Sequence, residues 1–459
     1  MGSIGELWSS KEKPIIVAGA FPADGHSNGL IQISAYLVRR GFNVYFIGGS
    51  NFEDVIKHSG AEYIKNDWNF ATPELIEGQF SVPGGVERII WHIKHFFLDS
   101  TPGVFDLTKK CLETVRKKYP GRQVIILHET LFGGVLPFYY GVPLPNGYAE
   151  LPKVVNFHTS VNIMTSVDAP PVGPGIPPPA NDEDRAKIKA MIDARLPYHK
   201  VLNDYANKIY KSLGATKQMT GWFWDTVMSI HDTTLLPYSH SLDYPRSDLS
   251  PKIKFIGGLP LKPINPNFAH PTWWLKIQSN AEIPGTSPDR KKVVFITQGT
   301  AMLNYTELLI PSIKALASRS DLIVIATLGS RGASLPEDVE IPANTQVVDY
   351  FPYDIMLPYT DVFVTNAGLG GFMHGIMNGV PMVLAGVEAD KAEVSMRAEW
   401  CGVGVNLRSG KPSREALAEG IEKVLSIPAY KKRALELKAE NKSMDAMATV
   451  EKTIWKFVE

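Results

Sequence analysis

The chain has 459 residues, enough for two or three domains of ordinary size. Lys plus Arg and Asp plus Glu both total 47, a formal net charge of zero with no block of like charge, which argues against nucleic acid or an anionic membrane as partner and for a small ligand. Its two cysteines, Cys111 and Cys401, lie far apart without ligand-like spacing, which suits a reducing compartment and argues against a disulfide framework or a zinc site.

Residues 1–13 hold no apolar core of signal-peptide length, and Glu6 stands where a myristoylation motif wants Ser or Thr. No run approaches the ~20 apolar residues of a membrane span, so the chain reads as cytoplasmic. From Pro14 strands and helices alternate: strand at 15–20, helix at 30–39, strands at 43–47 and 124–127. That alternation predicts an α/β fold with a doubly wound parallel sheet. Residues 66–105 interrupt it with aromatic side chains, among them Trp68, Phe70, Trp91, Phe96 and Phe97, which suit either the core of a helix pair or the cap of a lipophilic pocket. A proline-rich loop at 169–179 and a polar helical stretch at 182–213 resemble an insertion facing a cleft, and the proline- and glycine-dense run 257–274 reads as an inter-domain connection. Alternation restarts with strands at 292–296 and 321–326 around a helix at 305–318, and helices at 413–425 and 429–458 close the chain.

The strongest chemical signal lies in the second half. An apolar run at 362–364 reads as a buried strand, and the next residues, Asn366 to Gly371, contain Gly368, Gly370 and Gly371 before a helical stretch ended by Gly379 and Pro381. Glycines at a helix N-terminus let backbone N–H groups and the positive dipole end meet a phosphate. In the first half, the Gly19–Gly29 loop follows the first strand at the sheet edge where open α/β folds bind ligands, and it carries His26. Its glycines do not match the dinucleotide G-x-G-x-x-G, which disfavours an NAD enzyme. Glu129 ends a later strand at the same edge, within plausible reach of His26, and a carboxylate on one ring nitrogen would leave the other free to take a proton. The Asp182-Glu-Asp184 triplet has the D-x-D form of a metal site, but its charged helical start gives it a helix-N-terminal role instead.

With these residues in view, the sequence resembles family 1 UDP-dependent glycosyltransferases over nearly its whole length, in the bacterial and fungal natural-product subgroup. The matches are Gly25-His26, the strand-turn Ile296-Thr-Gln-Gly-Thr300, Trp273-Trp274, the Gly-rich run Thr365 to Gly371, and Asp390-Lys391-Ala-Glu393. The resemblance implies a GT-B fold, two Rossmann-like domains facing a cleft: an acceptor-binding domain at 14–257, a linker at 258–291, a nucleotide-sugar domain at 292–440, and a helix at 441–459 packing back on the first domain. It implies a metal-independent, inverting transfer of a hexose, glucose first, from a UDP-sugar co-substrate, with no cofactor and no obligate protein partner. By resemblance His26 is the base and Glu129 its carboxylate. Gln298, Thr300, Asn366, Gly368, Gly370 and Gly371 surround the diphosphate, Tyr350 stacks on the base, and backbone at Phe351 meets the base edge. His374 stands where the family's ribose-gripping acid does, and Asp390 and Lys391 contact the sugar. Trp91, Phe132 and His158 are expected to line the acceptor pocket. The acceptor implied is a lipophilic hydroxyl compound such as a phenol, with a sterol or hydroxy-lipid as alternative. A UDP-sugar epimerase of the same architecture, and a non-catalytic binding protein of two such halves, are the readings from other classes.

Overall fold

The computed structural model describes residues 12–262, 268–300, 302 and 304–458. Residues 1–11, part of the segment read for targeting signals, lie outside the described residues, as do 263–267 of the expected connection and Ala301 and Leu303 beside Thr300.

Seven parallel strands form the first sheet: β1 (Ile15–Gly19), β2 (Val44–Gly49), β3 (Glu62–Asn66), β4 (Val124–Glu129), β5 (Lys153–Phe157), β6 (Thr233–Leu236) and β7 (Ile253–Phe255). Their spatial order is β3-β2-β1-β4-β5-β6-β7, the doubly wound order. β1, Ile-Ile-Val-Ala-Gly, is buried along its whole length, as a strand covered by helices on both faces must be. Register pairs Gly19 with His128 and Glu129 with Phe157, so the segments leaving β1, β4 and β5 emerge side by side at the point where the strand order reverses.

The second sheet comprises β8 (Lys292–Thr297), β9 (Leu322–Thr327), β10 (Thr345–Val348), β11 (Val362–Thr365), β12 (Met382–Leu384) and β13 (Gly404–Asn406), in the order β10-β9-β8-β11-β12-β13. Thr297 pairs with Thr365, which brings Gln298–Thr300 and Asn366–Gly371 together at its own switch point. Each sheet has apolar layers of its own, and a further cluster joins Tyr238 and Phe255 of the first unit to Trp274, Phe372 and Val394 of the second.

Two expected helices end differently from the sequence pattern. The one expected at 305–318 runs only over Leu309–Ala315, because the buried Gln298 side chain takes the N–H groups of Leu308 and Leu309 and fixes the start there. The one expected at 429–458 is two, Pro428–Ser443 and Ala446–Trp455. Between them Asp445 adopts φ 45° and caps the second helix through its carboxylate on the Ala448 N–H. The turn sends Ala446–Trp455 onto the core of the first sheet, where Met447, Val450 and Trp455 are buried and Glu451 binds Tyr36 and Arg40. No helix among the described residues is long and apolar enough to cross a membrane.

Beneath the first sheet edge His128 and His231 lie edge to face, ring centroids 4.6 Å apart, both about 1% exposed and with both Nε2 atoms unpartnered among the described residues. Burial pushes the His128 imidazole down from the ordinary 6.5 to about 4 and pushes His231 well below it. A depressed imidazole is neutral in the fold while the unfolded chain takes up a proton from pH 6.5 downward, so stability is lost as pH falls from 6.5 toward 4. His128→Gln should lose less melting temperature than the wild type between pH 7 and pH 5. Equal losses in differential scanning fluorimetry would exclude His128 as a source of acid lability.

Candidate active site

His26 sits in the first turn of the helix Asp24–Arg39, immediately beyond β1, and Glu129 is the last residue of β4. The strand pairing that joins β1 to β4 therefore brings them together: His26 Nδ1 lies 2.9 Å from Glu129 Oε1. Glu129 is 1% exposed and the His26 side chain 29%, so the carboxylate is buried behind a ring that reaches the cleft. Thr159, just past β5, donates its hydroxyl to Glu129 Oε1 at 3.0 Å and also touches His26 Nδ1, while the Leu131 N–H donates to Glu129 Oε2. Burial alone would raise the Glu129 carboxyl, but His26, the Leu131 N–H and the Thr159 hydroxyl together hold it below its ordinary value. Burial likewise lowers His26, and the Glu129 charge and hydrogen bond more than offset this, with Asp390 adding to them, so the imidazole is raised above 6.5. With Nδ1–H directed at Glu129, Nε2 is the ring atom left to accept a proton.

Asp390 belongs to the second unit, at the N-terminal end of the helix Lys391–Trp400, yet its carboxylate accepts a 2.8 Å hydrogen bond from Ser160, the neighbour of Thr159. The expected sugar-contacting carboxylate and the expected base thus face one cleft between the two units. Lys391 lines a cavity of about 300 Å³ together with Gln298, Asn366, Glu388 and Lys411.

The glycine run behaves as its composition predicts. Gly368 caps the helix Leu369–Asn378, and neither Gly368 nor Gly370 has any atom within 4 Å of where a Cβ would stand, leaving open space at the helix N-terminus. Thr300 is exposed beside it. The Asn366 amide is committed elsewhere, donating to the Gln298 carbonyl and to the Met302 sulfur, which leaves backbone N–H groups as the donors an anion there would meet.

Tyr350 is 38% exposed, and the Arg331 guanidinium lies 4.4 Å over its ring, a cation on the expected base platform. Phe351 is 3% exposed with its ring in the core against Trp273 and Trp274, which leaves only its backbone to meet a base edge. His374 Nδ1 binds Asp354 Oδ1 at 2.8 Å. The carboxylate missing from position 374 thus stands one helix away, and burial of Asp354 is outweighed by His374 and the Lys262 N–H, so it is held below the usual carboxylate range.

Three side chains expected to contact ligand are buried and already partnered or packed. Gln298 is 1% exposed, and its amide spans the Asn304 carbonyl and the Leu308 and Leu309 N–H groups, so it serves as a helix cap. Phe132 is 3% exposed and fills the space beside Gly19, where a Cβ would lie 2.5 Å from its ring. His158 has both ring nitrogens engaged, by the Thr130 hydroxyl and the Val161 carbonyl. Trp91 is half-buried in an aromatic chain that leads to the base: His26 on Phe21 at 5.5 Å, Phe21 on Phe70 at 4.9 Å, Phe70 on Phe96 at 5.9 Å, and Phe96 on Trp91 at 5.2 Å. Among the described residues no three His, Cys, Asp or Glu side chains gather as metal ligands, and Asp184 lies in the first turn of the helix Asp182–Asp193, with Asn181 capping it.

Two Rossmann-like sheets, a His–carboxylate pair on one wall and an open, glycine-lined helix N-terminus on the other define the GT-B architecture of a group-transfer enzyme. The family model described as UDP-glucoronosyl and UDP-glucosyl transferase matches residues 185–446, and the chain belongs to that family. UDP-glucosyltransferase 1 of Beauveria bassiana (strain ARSEF 2860) is 40% identical over 453 residues, spanning 96% of this chain and 95% of its own. UDP-glucosyltransferase B1 of Starmerella bombicola is 31% identical over 458 residues, spanning 96% and 98%. Among solved structures, the glycotransferase of kitacinnamycin superposes with a TM-score of 0.71 at 17% identity, over 98% of this chain and all of that one. The chain is therefore a UDP-glycosyltransferase taking a UDP-sugar donor and a small-molecule acceptor.

Proposed function

We propose that the enzyme transfers glucose from UDP-glucose to a hydroxyl of a lipophilic small molecule with inversion at the anomeric carbon, and that it needs no metal ion. The observation that carries this reading is the His26–Glu129 pair at 2.9 Å facing Asp390 across the inter-domain cleft. His26 Nε2 takes the acceptor proton as the hydroxyl oxygen attacks the anomeric carbon from the face opposite the diphosphate. The C–O bond to phosphate breaks, and UDP leaves with the electron pair. The new imidazolium is stabilised by Glu129. Negative charge developing on the diphosphate meets the backbone N–H groups at Gly370 and Gly371 and the Thr300 hydroxyl, groups already oriented before reaction, so charge balance does not call for a cation. Asp390 accepts hydrogen bonds from the sugar alongside the one that Ser160 gives to its Oδ2. Tyr350 with Arg331 holds the base, and His374 with Asp354 holds the ribose. The donor assignment leans on the two relatives named as UDP-glucosyltransferases.

Acceptor lipophilicity is supported by the aromatic chain from Phe21 to Trp91, which begins at the base itself. Mass spectrometry of the enzyme with UDP-glucose and phenolic, steroid, hydroxy-lipid and polar sugar acceptors, EDTA present throughout, tests the donor, the acceptor class and the metal independence, and the anomeric proton coupling of the product in NMR tests inversion. One hexose added to a lipophilic acceptor is the expected outcome. Addition only when a divalent cation replaces EDTA would refute metal independence, and addition only to polar acceptors would refute the aromatic pocket.

A further inference from the structure

Two sequence features remain without a role in this chemistry: the last residue of the Asp390-Lys391-Ala-Glu393 match and the proline-rich loop at 169–179. The structure joins them. Glu393 is 1% exposed, and its Oε1 accepts the N–H groups of Gly173 at 2.7 Å and Gly175 at 2.9 Å. Gly175 adopts φ 59° and lies so close to the donor-domain helix that a Cβ would stand 2.7 Å from the Ala392 carbonyl oxygen. This contact crosses between the two units, since the loop follows β5 of the first sheet and Glu393 lies in the helix Lys391–Trp400 of the second.

The loop also continues directly from the catalytic pair. Thr159 binds Glu129, Ser160 binds Asp390, and from there the chain runs to Gly173 and Gly175 on Glu393. Residues 159–176 therefore form a strap that leaves the base, touches the sugar-contacting carboxylate and ends one helical turn further along the same donor helix. Within the first unit the strap is held by Arg246 on the Asn162 and Met164 carbonyls and by Arg195 on the Val172 carbonyl. Those anchors lie within the first unit, so opening of the cleft would leave them intact and would break the bonds to Asp390 and Glu393.

We propose that Glu393 is a positioning residue that latches the strap across the closed cleft, so that sugar passes to the acceptor and not to water. The inference rests on the glycosyltransferase reading above. Glu393 touches no reacting atom; its oxygens are taken by the strap and by Arg397, and its Oε1 is suited to the strap because two convergent N–H donors select a carboxylate. Separation of the two bonds to the donor helix also explains why an acidic residue recurs three positions beyond Asp390: the first carboxylate faces substrate, and the second, almost one turn on, faces the loop.

The test uses Glu393→Gln, which keeps the shape, and Gly175→Ala, which pushes the strap off the helix and leaves the Glu393–Arg397 ion pair in place. Three quantities are read: UDP affinity, the partition of UDP-glucose between hydrolysis and transfer, and amide hydrogen exchange in the peptide covering 169–179. Both variants should bind UDP within about twofold of wild type, lose about 10-fold in transfer turnover, raise hydrolysis relative to transfer at least about 5-fold, and exchange the Gly173 and Gly175 amides about 10-fold faster. Hydrolysis and transfer falling in proportion, or transfer unchanged, would overturn the latch. If the wild type transfers sugar to no acceptor, it is the glycosyltransferase reading that fails. The latch is then judged by exchange alone, and unchanged protection of the two amides in Glu393→Gln would overturn it.

Discussion

His26→Ala should lower the turnover of sugar transfer by about 10³-fold while UDP affinity stays within about twofold, because the role proposed for the ring is on the acceptor proton and not on the nucleotide. The size follows from the arrangement. His26 is joined to a carboxylate that is 1% exposed and fixed by the Thr159 hydroxyl and the Leu131 N–H, so the pair is oriented before substrate arrives. The neighbouring imidazole of His158 is no substitute. His158 spends both nitrogens on Thr130 and Val161, and burial holds it below its ordinary value. The pH profile adds an independent mark. A base must be deprotonated to work, and His26 is raised above 6.5, so transfer should climb with pH along a limb centred above 6.5. Glu129→Gln removes the charge that raises it; the limb should then move to lower pH while turnover drops about 10- to 100-fold, the imidazolium formed in the reaction having lost its counter-ion. Steady-state kinetics across pH 5 to 9 and calorimetric UDP titration measure both effects. Retention of more than a tenth of wild-type turnover in His26→Ala would remove it as the base.

Much of this architecture was legible because parallel sheets write themselves into sequence as buried apolar runs ended by ligand-facing loops. β1, β4, β8 and β11 are such runs, and the rule that ligands gather beyond their C-terminal ends was enough to put His26 near Glu129 and to put Gly368–Gly371 at a helix N-terminus. Side-chain direction was not legible. Gln298, Phe132 and His158 follow strands at the same edges as the site, and nothing in their spacing reveals that Gln298 turns inward to cap a helix or that Phe132 fills the space a glycine leaves. Partners brought in from other elements were missed for the same reason: Thr159 and Ser160 beyond β5, Arg331 on Tyr350, and Asp354 on His374. For two of these a signal existed. Thr159-Ser160 immediately follow His158, a residue expected at the acceptor pocket, and Asp354 is a carboxylate three residues after Phe351 of the expected base contact, in a chain whose ribose-gripping acid is absent at 374. The break at Asp445 had no such signal, because a capping Asp inside an amphipathic stretch looks like one more polar position until tertiary packing demands a turn.

Arg397→Ala should be the most destabilising single change in the inter-domain contact. The guanidinium is 2% exposed and forks between Asp243 Oδ1 and Glu393 Oε2, each at 3.0 Å, while its plane stacks 4.3 Å from the Tyr244 ring. Burial alone would disfavour the cation, but Asp243, Tyr244 and Glu393 raise it further above its already high value, so it is charged at every accessible pH. Asp243 and Glu393 are each 1% exposed, and the other cations near them are committed to carbonyls: Arg246, 3.6 Å from Asp243, to those of Asn162 and Met164, and Arg195, on the Glu393 side, to that of Val172. Removing Arg397 therefore leaves two buried carboxylates with too little compensation, an arrangement that costs about 3–5 kcal/mol. For domains of this size that corresponds to a fall in melting temperature of roughly 10 °C. Arg397→Lys should lie between, because an ammonium keeps the charge and loses both the fork and the ring stacking. If the loss arises from stranded charge and not from lost packing, adding Asp243→Asn and Glu393→Gln to Arg397→Ala should restore more than half of it, against the usual expectation that destabilising changes add. Thermal denaturation followed by tryptophan fluorescence separates the cases. A melting temperature for Arg397→Ala within 2 °C of wild type would show that water reaches these carboxylates, and that the two domains are held by the shared apolar cluster around Trp274 and Phe372 instead.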